Sequence, residues 1–327
     1  MPHSGNSDIF EQAVNVAGLT VKFRSDFADD IEYLTKVFRH HLCDVTPSDD
    51  AASHLVEVMT VEHNPVMAPD TEKIWEGNYR VNGDDPRPLT ARWFRSAKAA
   101  KEYISLHDQT QWIVNDMESM RHTEIHLVTR NEGIHRIRPL LRPMMTMINH
   151  VVFSMHNRFT IHASAVSVDG RGILATGRSG SGKSTLCYDL TGLGASYLGD
   201  DIVFLYLDTE GLPRIGSLLC NAKLFISRQD SKDFIDPLEK NGGEIIFSAP
   251  ASALLRVRQS GEDESRVTPI SESELFTTLM EQSNNMRIHH RPQAWIELCY
   301  ALLEHCKGYT MHFGKRELLT LDLLRSL

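Results

Sequence analysis

Gly172-Ile-Leu-Ala-Thr-Gly-Arg-Ser-Gly-Ser-Gly-Lys-Ser184 begins as a short apolar run and breaks into alternating glycines that close on Lys-Ser. Its last eight residues, Gly177 to Ser184, satisfy G-x-x-x-x-G-K-[ST]. Each position has a chemical reason. Gly177, Gly180 and Gly182 permit backbone angles that side chains forbid, so successive N–H groups can turn inward around an anion. A helix starting near Lys183 presents its positive dipole end to the same anion. Lys183 reaches toward β- and γ-phosphates, and the Ser184 hydroxyl is a Mg²⁺ ligand. The stretch implies a nucleoside triphosphate site, ATP with Mg²⁺, whose phosphates meet Gly177, Arg178, Ser179, Gly180, Ser181, Gly182, Lys183, Ser184 and Thr185.

Working outward, Ala163–Val168 and Gly172–Thr176 read as two strands joined by an Asp169-Gly170 hairpin turn. After the helix come a strand at Ala195–Leu198, the pair Asp200-Asp201, and a strand at Ile202–Leu207. Strand, glycine loop, helix, strand is the order of an α/β nucleotide fold. Carboxylates at the end of the strand after the helix suit phosphoryl transfer: one holds Mg²⁺ and the other takes a proton from the attacking hydroxyl. The residues do not say which aspartate does which. His162, just before the first of these strands, is a further candidate, with a structural hydrogen bond as its simpler role.

Ile161 to Ser184, followed by Gly-Asp-Asp201, resembles the catalytic core of the HPr kinase/phosphorylase-like family, a P-loop kinase family distantly related in fold to phosphoenolpyruvate carboxykinase. The resemblance covers about residues 137 to 327. It implies that His162 and one of Asp200 and Asp201 take part in phosphoryl transfer to a serine hydroxyl; with the loop reading, Lys183, His162, Asp200 and Asp201 are the candidate catalytic residues and Ser184, Asp200 and Asp201 the candidate metal ligands. Pro213 to Phe225, Ala253–Arg258 and a helix at Ser271–Asn284 look like the same group. Thr185 stands where the bifunctional enzyme has glutamate, and its downstream R-G-x-G motif is not evident. The expectation is therefore a kinase without phosphorylase activity, acting on a protein or peptide serine, with a small hydroxylated metabolite or a non-catalytic nucleotide-gated module as alternatives. Family members are commonly oligomeric, which makes a homo-oligomer the corresponding expectation.

The first half is strand-rich and carries no motif that points to chemistry. Strands are expected at Leu19–Arg24, Leu55–Val61, Ile74–Val81, Leu89–Phe94, Trp112–Asn115 and Thr123–Thr129, with helices at Asp26–Arg39 and Ala97–Leu106. Residues 1 to about 15 read as a polar lead. Pro139 and Pro143 open a helix to about His156. The fold class is thus α/β: a mixed, strand-rich N-terminal domain over 1–135, suited to recognising a substrate or partner, and a P-loop domain of the HPr kinase/phosphoenolpyruvate carboxykinase type over 136–327.

Composition fits this reading. Of 327 residues, 41% are hydrophobic and 24% charged, and the formal charge is −9. An acidic chain argues against a broad nucleic-acid surface. No run approaches a membrane span, and the polar start shows no signal peptide. Five cysteines without a C-x-x-C pair read as reduced thiols of a cytoplasmic protein. Cys299 and Cys306 share a helix face as buried apolar groups. The pairs His40-His41, His122/His126 and His289-His290 lack zinc spacing. Arg214 and Lys223 are candidate phosphate contacts, Arg256 and Arg258 read as a solvated strand face, and Glu262-Asp-Glu264 reads as a hairpin turn.

Overall fold

The computed structural model describes residues 9–79, 89–106, 109–129, 151–218, 222–225, 232–235, 243–260, 263, 265–283, 291–315 and 318–327. The chain divides into two compact units, Met1–Val152 and Phe153–Leu327. The boundary expected at 135/136, most of the helix expected from Pro139, Cys220 and the His289-His290 pair lie outside the described residues; 151–155 are helical.

The first unit is one mixed sheet of eight described strands: β1 (Phe10–Val16), β2 (Leu19–Ser25), β3 (His54–Val61), β4 (Glu72–Tyr79), β5 (Leu89–Ser96), β6 (Lys101–Leu106), β7 (Gln111–Asp116) and β8 (His122–Val128). Their order is β1-β2-β3-β8-β7-β6-β5-β4. β3 runs parallel to β2 and β8, and the remaining pairs are antiparallel. Helix α1 (Ala28–Val37) packs on β1 and β2, and Phe38 at its end stacks on Phe23 with ring centroids 5.9 Å apart.

Two expectations fail here. The supposed polar lead contains β1, which places Ala13, Val14 and Val16 in the core and pairs with β2 through a turn at Ala17 and Gly18, both at positive φ. The helix expected at Ala97–Leu106 is instead a turn followed by β6. Ala-Lys-Ala-Ala-Lys-Glu favours a helix locally, but Tyr103, Ile104 and Leu106 are buried once β6 pairs with β5 and β7. Tertiary pairing overrides weak propensity.

The second unit has β9 (Phe159–Ile161), β10 (Ser164–Val168), β11 (Arg171–Thr176), α2 (Lys183–Gly192), β12 (Ser196–Gly199), β13 (Val203–Leu207), β14 (Pro213–Ser217), β15 (Ala222–Phe225), β16 (Lys232–Ile235), β17 (Ser248–Gln259), β18 (Arg266–Pro269), α3 (Glu272–Gln282), α4 (Pro292–His305), β19 (Lys307–Phe313) and α5 (Asp322–Arg325). β15 and β16 pair only with each other. The others form a nine-stranded sheet, β12-β10-β11-β17-β14-β13-β9, with β19 joining β17 and β18. The Asp169-Gly170 turn between β10 and β11 has φ of 51° and 79°, as a tight hairpin requires. β17 and β18 both pair with β19, and Glu262 and Glu264 of the expected turn lie outside the described residues.

Side chains alternate across this sheet. Leu174 of β11 and Leu254 of β17 face a core with Leu275, Leu279, Trp295, Leu298 and Cys299 of α3 and α4. Ile173, Ala175, Leu255 and Val257 face the other core, with Leu186, Cys187 and Leu190 of α2 and Leu324 of α5. Helices on both faces of a sheet make an α/β layer arrangement, and each buried leucine contributes about 1.5–3 kcal/mol relative to exposure. Cys306 ends α4 and lies in the same core as Cys299; burial pushes both thiols up to about 12. This packing fixes where β11 and β17 end.

Candidate functional site

β11 ends at Thr176 and α2 begins at Lys183, so the glycine loop spans the step from sheet to helix. Gly177, Gly180 and Gly182 have φ of 138°, 81° and 97°. At Gly177 a Cβ would lie 2.7 Å from the Val257 carbonyl oxygen, and at Gly182 one would lie 3.0 Å from the Phe313 ring. At Gly180 a Cβ would meet nothing within 4 Å, so only its backbone angle demands glycine. Lys183 is 6% exposed, and its Nζ donates to the Gly177 and Arg178 carbonyls at 3.0 and 3.2 Å. The lysine is thereby folded into its own loop, where an anion bound there would compete for it. Arg178, Ser179 and Gly180 are exposed at the loop crest, Ser181 Oγ is buried without a hydrogen-bond partner, and Thr185 is half-buried on α2.

The carboxylates arrive from the next strand pair. β12 pairs with β10 and β13 pairs with β9, so the link between them crosses near the loop. Asp200 is 1% exposed. Its Oδ1 accepts from Ser184 Oγ at 2.8 Å and from Ser164 Oγ. Asp201 sits at φ 69°, in the left-handed region. His162 Nδ1 lies 2.8 Å from the Asp201 carbonyl oxygen and 3.4 Å from Asp201 Oδ1. A carbonyl oxygen only accepts, so Nδ1 carries the proton of this hydrogen bond. His162 is anchored in turn by its backbone N–H, which donates to the Gln282 carbonyl at 3.1 Å.

The structure therefore joins Lys183, Ser184, Asp200, Asp201 and His162 around one strand-to-helix step. The donor set suits Mg²⁺, which takes one or two protein oxygens beside phosphate and water. Ser184 and Asp200 already share a hydrogen bond where a metal would insert. Among the described residues, no group of three or more His, Cys, Asp and Glu side chains gathers into a metal cage.

Arg256 and Arg258, read from the sequence as a solvated strand face, are half-buried and exposed respectively. Both line a cavity of about 550 Å³ together with Gly177, Arg178, Ser181 and Glu281. The signal was in the topology: β17 lies parallel to β11 with Thr176 opposite Arg256, so β17 continues past the start of the loop. Arg214 does not join the site residues; its Nε donates to Ser248 and its Nη1 lies 3.7 Å from Asp208. The side chain of Lys223 is outside the described residues. A second void, of about 10 Å³ among Leu174, Leu205, Leu254 and Leu279, is apolar core.

No protein-family model matches the chain. Over 60 residues it is 42% identical to the HPr kinase/phosphorylase of Chlorobium limicola, covering 18% of each protein. Over 71 residues, 22% of this chain and 19% of the relative, it is 38% identical to the HPr kinase/phosphorylase of Pelodictyon phaeoclathratiforme. The chain is HPr-kinase-related over this stretch. The match spans about a fifth of the length of these relatives. The solved Hpr(Ser) kinase/phosphatase from Coxiella burnetii aligns with 51% of this chain and 94% of its own, at 15% identity and a TM-score of 0.31. No described helix is long and apolar enough to cross a membrane.

Proposed function

We propose that this chain is an ATP-dependent phosphotransferase that passes the γ-phosphoryl group to a hydroxyl, on a serine of a protein or peptide. The observation that carries the reading is the hydrogen bond from Ser184 to the buried Asp200, which links the glycine loop to a carboxylate on the neighbouring strand. Kinase chemistry is also what the names of the HPr kinase/phosphorylase relatives state.

In this reading the loop N–H groups and the α2 N-terminus hold the phosphates. Lys183 leaves its loop carbonyls and neutralises charge on the transferring group. Ser184 and Asp200 would hold Mg²⁺, which would supply charge neutralisation to the phosphates when bound. Asp201, part-exposed and oriented through His162, takes the acceptor's proton. The acceptor O–P bond forms, the bond from phosphorus to the β-bridging oxygen breaks, and ADP leaves. The first unit, which contributes none of these residues, serves to recognise the acceptor or a partner.

The test is incubation of the full chain with γ-labelled ATP, Mg²⁺ and candidate acceptors, followed by mass spectrometry. Label on an acceptor hydroxyl is expected. Label released only as inorganic phosphate under all acceptors would overturn the kinase reading.

A further inference from the structure

Arg256 lies opposite Thr176, the last residue of the parallel strand β11, and Arg258 lies on the stretch of β17 that runs past it. In open α/β sheets, ligands sit at this carboxyl end of the strands. Arg256 is held in place: its Nη2 donates to Thr310 Oγ1 at 3.2 Å and to Glu274 Oε1 at 3.3 Å. Glu274 is itself fixed, accepting at Oε2 from the Ser271 backbone N–H in the capping box of α3. Yet Arg256 Nε is buried and has no hydrogen-bond partner among the described residues. An unsatisfied buried donor is costly, and an anionic ligand would relieve it.

The cavity that these arginines line has the size of a small-molecule site, at about 550 Å³. Its charge is unbalanced, with Arg178, Arg256 and Arg258 set against Glu281, while Thr278 and Gln282 add neutral polar groups. Gly177, Arg178 and Ser181 of the glycine loop form one side of it, so the cavity opens directly beside the triphosphate loop. Its far wall leads to the chemistry: the Gln282 carbonyl accepts from the His162 N–H, and His162 donates to Asp201.

We propose that this cavity is the acceptor subsite, and that Arg256 and Arg258 select a hydroxylated acceptor bearing an anionic group, a carboxylate or a phosphate ester. The assignment to an acceptor rests on the phosphoryl-transfer reading above; the anion subsite itself does not.

The full chain, saturated with AMP-PNP and Mg²⁺, is titrated calorimetrically with inorganic phosphate, with glycerate and with uncharged glycerol. At least one anion is expected to saturate while glycerol does not, and the stronger of the two tells phosphate ester from carboxylate. Arg256→Ala and Arg258→Ala should each weaken that anion on the order of tenfold while AMP-PNP affinity stays within about twofold. Arg258 is exposed, so its truncation leaves the fold intact, and Arg256→Lys, which keeps charge but loses the fork, should fall between. Absence of saturation by either anion, or unchanged binding in both variants, would overturn the proposal. So would an equal loss of AMP-PNP, which would assign the arginines to the nucleotide. Lys183→Ala separates the two readings. It should lose AMP-PNP but keep arginine-dependent anion binding, whereas wild-type protein that ignores AMP-PNP yet binds the anion would sink only the transfer reading.

Discussion

The Ser184 hydroxyl donates to Asp200 Oδ1 at 2.8 Å, so the residue closing the glycine loop and the carboxylate after β12 share one hydrogen bond. Asp200 also accepts from Ser164, which makes it a buried, doubly satisfied acceptor. Ser184→Ala removes one donor and the proposed metal contact. Turnover should fall about 10–100-fold with a raised Mg²⁺ requirement. Asp200→Asn should cost more, about 10²–10³-fold. A magnesium titration of initial rates checks both; an unaltered Mg²⁺ requirement in Ser184→Ala would count against the metal assignment.

His162 acts on Asp201 through its carbonyl, so its removal should be milder than removal of the carboxylate. Asp201→Asn is expected to lose about 10²–10⁴-fold, the usual worth of a general base. His162→Ala should lose less, in kcat more than in KM, and His162→Asn, which keeps a donor, should recover part of the loss. Steady-state kinetics of the three variants decide it. Equal loss in His162→Ala and His162→Asn would mean that the ring does more than orient Asp201.

The loop glycines separate crowding from backbone strain. Gly180→Ala meets no atom and should cost only the left-handed penalty, about 1–2 kcal/mol. Gly177→Ala adds a 2.7 Å contact with the Val257 backbone oxygen, which cannot swing away as a side chain tip could. It should melt lower than Gly180→Ala and bind nucleotide more weakly. Thermal melts with and without AMP-PNP measure the difference.

The first unit should weaken in acid. Lys22, whose side chain is 5% exposed, pairs with Glu11 at 3.0 Å and Asp49 at 2.7 Å. Burial alone would raise the Glu11 carboxyl, but hydrogen bonds from Lys22 and Arg24 outweigh it and hold it below its ordinary 4.5. Hydrogen bonds from Lys22 and then Arg24 hold Asp49 below 3.8. Depressed carboxylates stabilise the fold above those ordinary values and lose that contribution as pH falls through the lower folded ones. Protection from hydrogen exchange over β1 and β2, referred to the intrinsic rate at each pH, should therefore fall below about pH 4.5, and a Glu11→Gln, Asp49→Asn double variant should flatten the response.

Much of the second unit was readable because its signals are local. The glycine loop, the Asp169-Gly170 turn and the strand before Asp200 each declare themselves within a few residues. The different surroundings of Asp200 and Asp201 were not readable, since adjacent aspartates differ only once one is buried against Ser164 and Ser184 and the other turns out to His162. Arg256 and Arg258 escaped for a related reason: their meaning depends on the parallel register of β17 with β11, formed across some eighty residues of chain. In the first unit, Ala97–Leu106 misled because helix-forming residues sat where a hairpin partner was waiting.

Lys183 offers the most direct test of phosphoryl transfer at this loop. ADP release from Mg·ATP should be measured for the wild-type chain and Lys183→Ala, alongside their melting temperatures. A loss on the order of 10²-fold or more, with the fold intact, is the expected result. Release at the wild-type rate by a folded Lys183→Ala protein would contradict it.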